Sequence, residues 1–146
     1  IAVDPYFILS DYNEEAKLIK TARQVNNFKP LWCVERINNQ RLKFKTEKGI
    51  EANIAFMGMA FKPNIDDLRG SPAVKIIHTA LNGEQNKSHF IVEPNIDSHP
   101  DYKLTSYEEA VQKADILVFL VAHDEFKTFG HAKEKIILDF CGVLAK

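Results

Sequence analysis

Ile116-Leu117-Val118-Phe119-Leu120-Val121 is an unbroken apolar run with no polar alternation. A strand with one wet face alternates apolar and polar side chains, so this run predicts a strand covered on both faces. Sheets buried on both faces are mainly parallel, and parallel neighbours need helical crossovers. Asn53-Ile54-Ala55-Phe56-Met57-Gly58 is a second short apolar run, closed by Gly. Phe90-Ile91-Val92 and Ile136-Ile137-Leu138-Asp139-Phe140 add two more strands. Helices are predicted between them. Ser71-Pro72 reads as an N-cap followed by Pro at the first helical position, with Val74, Ile77 and Leu81 on one face and Asn82-Gly83 as the stop. Ser106-Tyr107-Glu108-Glu109 has the spacing of a capping box, and Ala110, Val111 and Ala114 give that helix a packing face. A short helix is expected from Asp124 to Phe129. Strand-helix alternation with short connections predicts an α/β fold with a Rossmann-like parallel sheet and flanking helices.

The chain before this sheet has a different texture. From Asp11 to Lys48 it holds no Gly and many charged and amide residues. Ala16, Ile19, Ala22 and Arg23, then Leu31, Val34 and Ile37, fall at helical spacing, with Pro30 expected to kink or restart the helix. The segment would be about 45 Å long and too amphipathic to stand alone, so it is expected to pack on another domain or another chain; the alternative is an ordinary core helix of a compact domain.

Ligands of open parallel sheets bind beyond the carboxyl ends of the strands. Three such ends are polar: residues 61–69, Glu93-Pro94-Asn95, and His123-Asp124-Glu125. The first is the richest. Lys62 and Arg69 can hold a phosphate or developing negative charge, while Asp66 and Asp67 orient those cations or accept from sugar hydroxyls. The same residues read equally well as a solvated charged loop with an internal salt bridge. Gly58-Met59-Ala60-Phe61 has one Gly where the dinucleotide fingerprint needs two in three residues, which argues against a full NAD pyrophosphate site.

Other chemistries find little support. His78, His89, His99, His123 and His131 lack metal-ligand spacing and read as surface or capping residues, so no metal site is expected. Cys33 reads as a small buried hydrophobe, and Cys141, at a strand end, lacks a local activating pair. The chain has 146 residues, enough for one ordinary domain, and a formal net charge of −1. That balance excludes an overall electrostatic footprint for nucleic acid. No apolar run approaches the ~20 residues of a membrane span, no secretory signal is evident, and a cytoplasmic location is expected. The chain starts without Met, in apolar sequence, and is expected to be a piece of a longer protein.

Gly58-Met59-Ala60-Phe61-Lys62-Pro63-Asn64-Ile65-Asp66-Asp67-Leu68-Arg69-Gly70-Ser71-Pro72-Ala73 resembles the G-x-A-F-K-P-x-x-D-D-x-R-x-S-P-A segment of the UDP-glucose/GDP-mannose dehydrogenase family. Ala22-Arg23-Gln24-Val25-Asn26-Asn27-Phe28-Lys29-Pro30 is similar to that family's central helix. Ile1-Ala2-Val3-Asp4-Pro5-Tyr6-Phe7 and Ile91-Val92-Glu93-Pro94-Asn95 resemble its UDP-N-acetylmannosamine 6-dehydrogenase branch.

The resemblance implies a set of expectations. Residues 1–46 would be the end of a central helical dimerisation domain, and 47–146 a C-terminal UDP-sugar-binding domain. The parent enzyme would oxidise a sugar C6 alcohol to the acid with NAD, through a Cys thiolate that falls just before Ile1, in polysaccharide biosynthesis. The NAD-binding N-terminal domain would be missing, and this part alone is expected neither to bind NAD strongly nor to turn over. Asp4 would orient the hydrolytic water, Phe61 and Lys62 would contact the UDP-sugar, and Arg69 would reach the cofactor. Asp66 and Asp67 would hold the loop in shape. The N-terminal helix would form a homodimer. Gly70 stands where the family usually has Glu, and Phe140-Cys141-Gly142 stand where many members carry a basic residue. The alternative is a stand-alone nucleotide-binding or dimerisation module without catalysis.

Overall fold

The structure, a computed structural model, describes residues 3–81, 88–128 and 134–144. The predicted stop at Asn82-Gly83, His131, Phe129 and the first two residues of the N-terminal motif lie outside them.

Four strands form the sheet: β1 (Ile54–Met57), β2 (His89–Val92), β3 (Ile116–Phe119) and β4 (Ile136–Asp139). Their order is β2-β1-β3-β4, and every pairing is parallel. Every residue of β1 and β3 is buried, as the unbroken apolar runs require. Leu120 and Val121 have left the strand and curl over the end of β1. Alternate side chains feed two cores. Ile54, Phe56, Ile116 and Val118 point to the face covered by α2 (Lys17–Lys48) and α3 (Pro72–Leu81). Ala55, Met57, Leu117 and Phe119 pack with Ala110 of α4 (Tyr107–Lys113) and with Phe126 of the 3₁₀ turn Asp124–Thr128.

The helix starts follow the sequence. Ser71 Oγ accepts from Ala73 N at 3.1 Å and Pro72 opens α3. The buried face of α3 is Ala73, Ile76, Ile77 and Ala80, rotated from the predicted stripe, so Val74 and Leu81 are half-buried at its edge. At α4, Ser106 Oγ accepts from Glu109 N at 3.2 Å, one half of the capping box. Glu109 turns instead to Lys113, 2.7 Å away.

The N-terminal region departs most from expectation. A short helix, α1 (Asp4–Asp11), precedes α2. Pro30 does not restart the helix: α2 runs through it as one element of 32 residues. The lost N–H of Pro30 is offset by the packing that α2 gains on the sheet from this point onward. From Pro30 onward α2 buries Cys33, Val34 and Ile37 in the sheet's own core. Before Pro30 no residue of α2 is buried, and Ala22 is exposed rather than packed. The long helix therefore finds half of its partner inside this chain.

Gly58 closes β1 at φ +95°, and a Cβ there would lie 2.6 Å from Val121 Cβ. Gly58→Ala is expected to cost about 2–4 kcal/mol, combining overpacking with a left-handed backbone. Chemical denaturation of the chain and the variant checks it.

Candidate functional site

The chain leaves β1 towards β2 on one side and returns to β3 on the other. The carboxyl ends of β1 and β3 therefore flank the topological switch point, where open sheets form a crevice. The loops that follow β1, β2 and β3 meet there.

Glu93, the first residue after β2, is 4% exposed. Its Oε2 accepts from Met59 N at 2.7 Å and Ala60 N at 2.9 Å, the two amides just past the Gly58 turn. Its Oε1 accepts from Asn95 N at 3.0 Å and Asn95 Nδ2 at 3.1 Å. His123, after β3, is 1% exposed and sits 3.1 Å from Glu93 Oε2 through Nε2. Its Nδ1 faces two donors, Asn64 N and Asn95 Nδ2, each at 3.0 Å. The lone pair is therefore on Nδ1 and the hydrogen on Nε2, donated to Glu93. Burial pushes the Glu93 carboxyl up, but the bonds from His123, Met59, Asn95 and Ala60 outweigh it and hold the pKa at about 2. His123 is thus no surface histidine. Local sequence does not show this, because the partners of His123 stand 30 and 59 residues away.

The amides of Met59 and Ala60 occupy the place where a dinucleotide fold cradles its pyrophosphate. Here a carboxylate of the protein itself fills it. Asp139 does the same after β4. Its Oδ1 accepts from Gly142 N at 2.8 Å and its Oδ2 from Leu144 N at 2.9 Å. The Met59, Ala60, Gly142 and Leu144 amides are therefore not open to an anionic ligand.

The residues singled out in sequence occupy distinct places. Phe61 is half-buried, and its N–H donates to Asp67 O at 2.8 Å, closing the loop between them. Lys62 is exposed, with no hydrogen bond or ion pair among the described residues. Asp67 forks with Arg69, Oδ1 to Nε and Oδ2 to Nη2 both at 2.9 Å, so the internal salt bridge exists. The Arg69 guanidinium holds the Asp67 carboxyl down at about 2. The Arg69 side chain is nonetheless 90% exposed, and Asp66 is exposed without a partner among the described residues. Asp4 opens α1 and is exposed. That helix is tied to α2 by Tyr6, whose hydroxyl accepts from Asn27 Nδ2 at 2.9 Å and whose ring lies under Arg23.

Phe61 borders two clefts. One, of about 580 Å³, lies between α2 and the start of α3 and carries Arg23, Lys29 and Lys75 with no acidic residue among its described lining. The other, of about 360 Å³, lies at the switch point and is mainly apolar, with Leu120, Val121 and Phe140 among its walls. Cys33 and Cys141 both line it. Burial pushes the Cys33 thiol up and the Cys141 thiol up to about 12, so neither is an activated nucleophile. Among the described residues no group of three potential ligands surrounds a metal position, and no helix is long and apolar enough to cross a membrane.

Comparison with known proteins gives a consistent result. The model of the UDP-glucose/GDP-mannose dehydrogenase family, UDP binding domain, matches residues 55–146. UDP-N-acetyl-D-mannosamine dehydrogenase of Escherichia coli (strain K12) is 39% identical over 154 residues, covering 98% of this chain and 36% of that protein. NDP-N-acetyl-D-galactosaminuronic acid dehydrogenase of Ralstonia nicotianae is 38% identical over 149 residues, covering 98% and 34%. The chain thus spans about a third of the length of the curated relatives it matches. UDP-D-ManNAc dehydrogenase of Pyrococcus horikoshii superposes with a TM-score of 0.78 at 29% identity, covering 99% of this chain and 34% of that one. The Staphylococcus aureus UDP-N-acetyl-mannosamine dehydrogenase Cap5O gives 0.75 at 31%, covering 100% and 34%.

A carboxyl that titrates near 2 when folded and near 4.5 when unfolded stabilises the fold fully above pH 4.5 and loses that contribution as pH falls towards 2. Its full value is about 3 kcal/mol. Glu93→Gln is expected to lower stability by that order at neutral pH and to flatten its decline between pH 4.5 and 2. Denaturant titrations across that range check both.

Proposed function

This chain belongs to the UDP-glucose/GDP-mannose dehydrogenase family, and we propose that it is the C-terminal, nucleotide-sugar-binding part of an NAD-dependent UDP-sugar 6-dehydrogenase. The observation that carries the reading is Phe61, which lines both clefts at the switch point, next in sequence to Lys62, exposed and without an ion pair among the described residues. UDP-N-acetylmannosamine is the substrate we assign to the parent enzyme, because the relatives named above include dehydrogenases of that sugar nucleotide.

In this reading Phe61 packs against the nucleotide sugar and Lys62 pairs with its phosphates. Backbone amides do not compete for them, since Glu93 and Asp139 hold those already. Asp67 holds Arg69 by a fork, leaving its 90% exposed side chain to reach a cofactor, and Asp66 has no partner among the described residues. Asp4, exposed at the start of α1, orients the hydrolytic water of the parent's reaction. NAD itself does not fit the β1 turn of this chain, where a carboxylate takes the pyrophosphate position. Its place in the parent enzyme is on another domain, and this chain is expected to be inactive without it. Residues 1–46 then end a central helical domain and 47–146 form the UDP-binding domain of a cytoplasmic enzyme of polysaccharide biosynthesis.

Calorimetric titration of UDP into the chain is expected to show saturable binding that Lys62→Ala weakens about tenfold, roughly 1.4 kcal/mol. Equal affinity of the two proteins would refute the assignment of Lys62.

The same proposal includes a homodimer through the N-terminal helices. Phe7, Leu18, Val25 and Phe28 are 66%, 87%, 66% and 58% exposed, an apolar surface left uncovered by the described residues. Sedimentation equilibrium is expected to give a dimer, and Phe28→Asp to weaken it at least tenfold. A monomeric mass for the unmodified chain at tens of micromolar would count against it.

A further inference from the structure

The Glu93–His123 pair is more deeply buried than the loop it touches, and its hydrogen bonds run to both ends of that loop. Glu93 Oε2 fixes the amides of Met59 and Ala60 at the start, at 2.7 and 2.9 Å. The same oxygen holds His123 Nε2, and His123 Nδ1 takes the Asn64 amide at the end, 3.0 Å away. Phe61, Lys62 and Pro63 hang between these two anchors. Asn64 is the described non-glycine residue with positive φ, at +60°. Asn enters that conformation more readily than other non-glycine residues, and surrounding bonds can fix it there. Here three do. Besides the bond to His123, Asn64 Nδ2 donates to Asp124 Oδ2 and Asp124 N donates to Asn64 Oδ1, both at 2.9 Å.

We propose that His123 is the positioning residue of the ligand loop: through its Nδ1 lone pair it holds Asn64 in the left-handed conformation and so sets where Lys62, two residues upstream, presents its ammonium. The proposal rests on the reading of residues 61–69 as a nucleotide-phosphate loop. His123 does not touch the ligand. Glu93 fixes its tautomer and ring orientation, in the way that a carboxylate orients a functional imidazole elsewhere.

Two substitutions separate the halves of the ring. Asparagine at this position places its carbonyl oxygen near the Nδ1 site, and glutamine places its amide nitrogen near the Nε2 site. His123→Asn keeps an acceptor for Asn64, whereas His123→Gln keeps a donor for Glu93. In His123→Gln, exchange of the Asn64 amide is expected to quicken at least tenfold relative to the global melting of the variant, and UDP affinity to fall about tenfold. His123→Asn is expected to stay within about threefold of the unmodified chain in both. A merely structural histidine would change both variants alike, in step with their melting temperatures, and that result would overturn the proposal. If the unmodified chain takes up no UDP, the nucleotide reading fails, and the exchange comparison alone decides the clamp. Imidazole nitrogen NMR on the unmodified chain decides it where neither variant folds: a hydrogen on Nδ1 in place of Nε2 would sink it.

Discussion

One buried carboxylate organises the functional end of this sheet. Glu93 leaves β2 at the rim and turns back to serve the amides that follow β1 and the imidazole that follows β3. A carboxylate so deep is tolerated because hydrogen bonds from four residues meet it, and breaking that set would strand a charge. Parallel strands end with their loops splayed, since each connection departs to a helix. A shared acceptor is what draws three of those loops into one surface. The switch-point crevice is therefore built by polar chemistry on top of a sheet built by apolar packing.

That construction decides how the site can recognise a ligand. In a dinucleotide fold the first turn offers bare amides to a pyrophosphate. Here the turn is occupied from within, and the Gly58 backbone is pressed against Val121 with no room for a side chain. The loop after β4 is closed likewise by Asp139. Cationic side chains remain open to the cleft beside α2, namely Arg23, Lys29 and Lys75. Side-chain recognition is adjustable and tolerates a partner surface in a way that an amide cradle is not. This suits a chain that aligns with about a third of each relative.

The sheet was legible because its signals are local. Apolar runs, Ser71 before Pro72 and the Ser106 cap each act over a few residues. The loop of residues 61–69 was legible as a motif, and its internal Asp67–Arg69 bridge was one of two readings left open. The His123–Glu93–Asn64 connection was not legible, because hydropathy at a strand end says nothing about which distant group a side chain will meet. The hint was there: an ionisable residue follows a wholly buried strand end, where a charge without partners would be costly. Helix α2 misled in a different way. Pro30 normally marks a boundary, yet the helix passes through it, since packing of Cys33, Val34 and Ile37 on the sheet outweighs one missing hydrogen bond.

Helix α2 also links the cationic cleft to the exposed apolar surface. Its second half is core, so the helix cannot pivot freely on the sheet. Its first half carries Arg23, Asn26 and Asn27 on the wall of the cationic cleft and exposes Val25 and Phe28 beside them. Residues that line the cleft and residues that need cover alternate along the same two turns. Any surface that covers Val25 and Phe28 must therefore lie at the mouth of the cleft, and fixing that surface fixes the cleft wall. Binding at the cleft and packing against α2 draw on one rigid element, so each must favour the other whenever both use the same position of the helix.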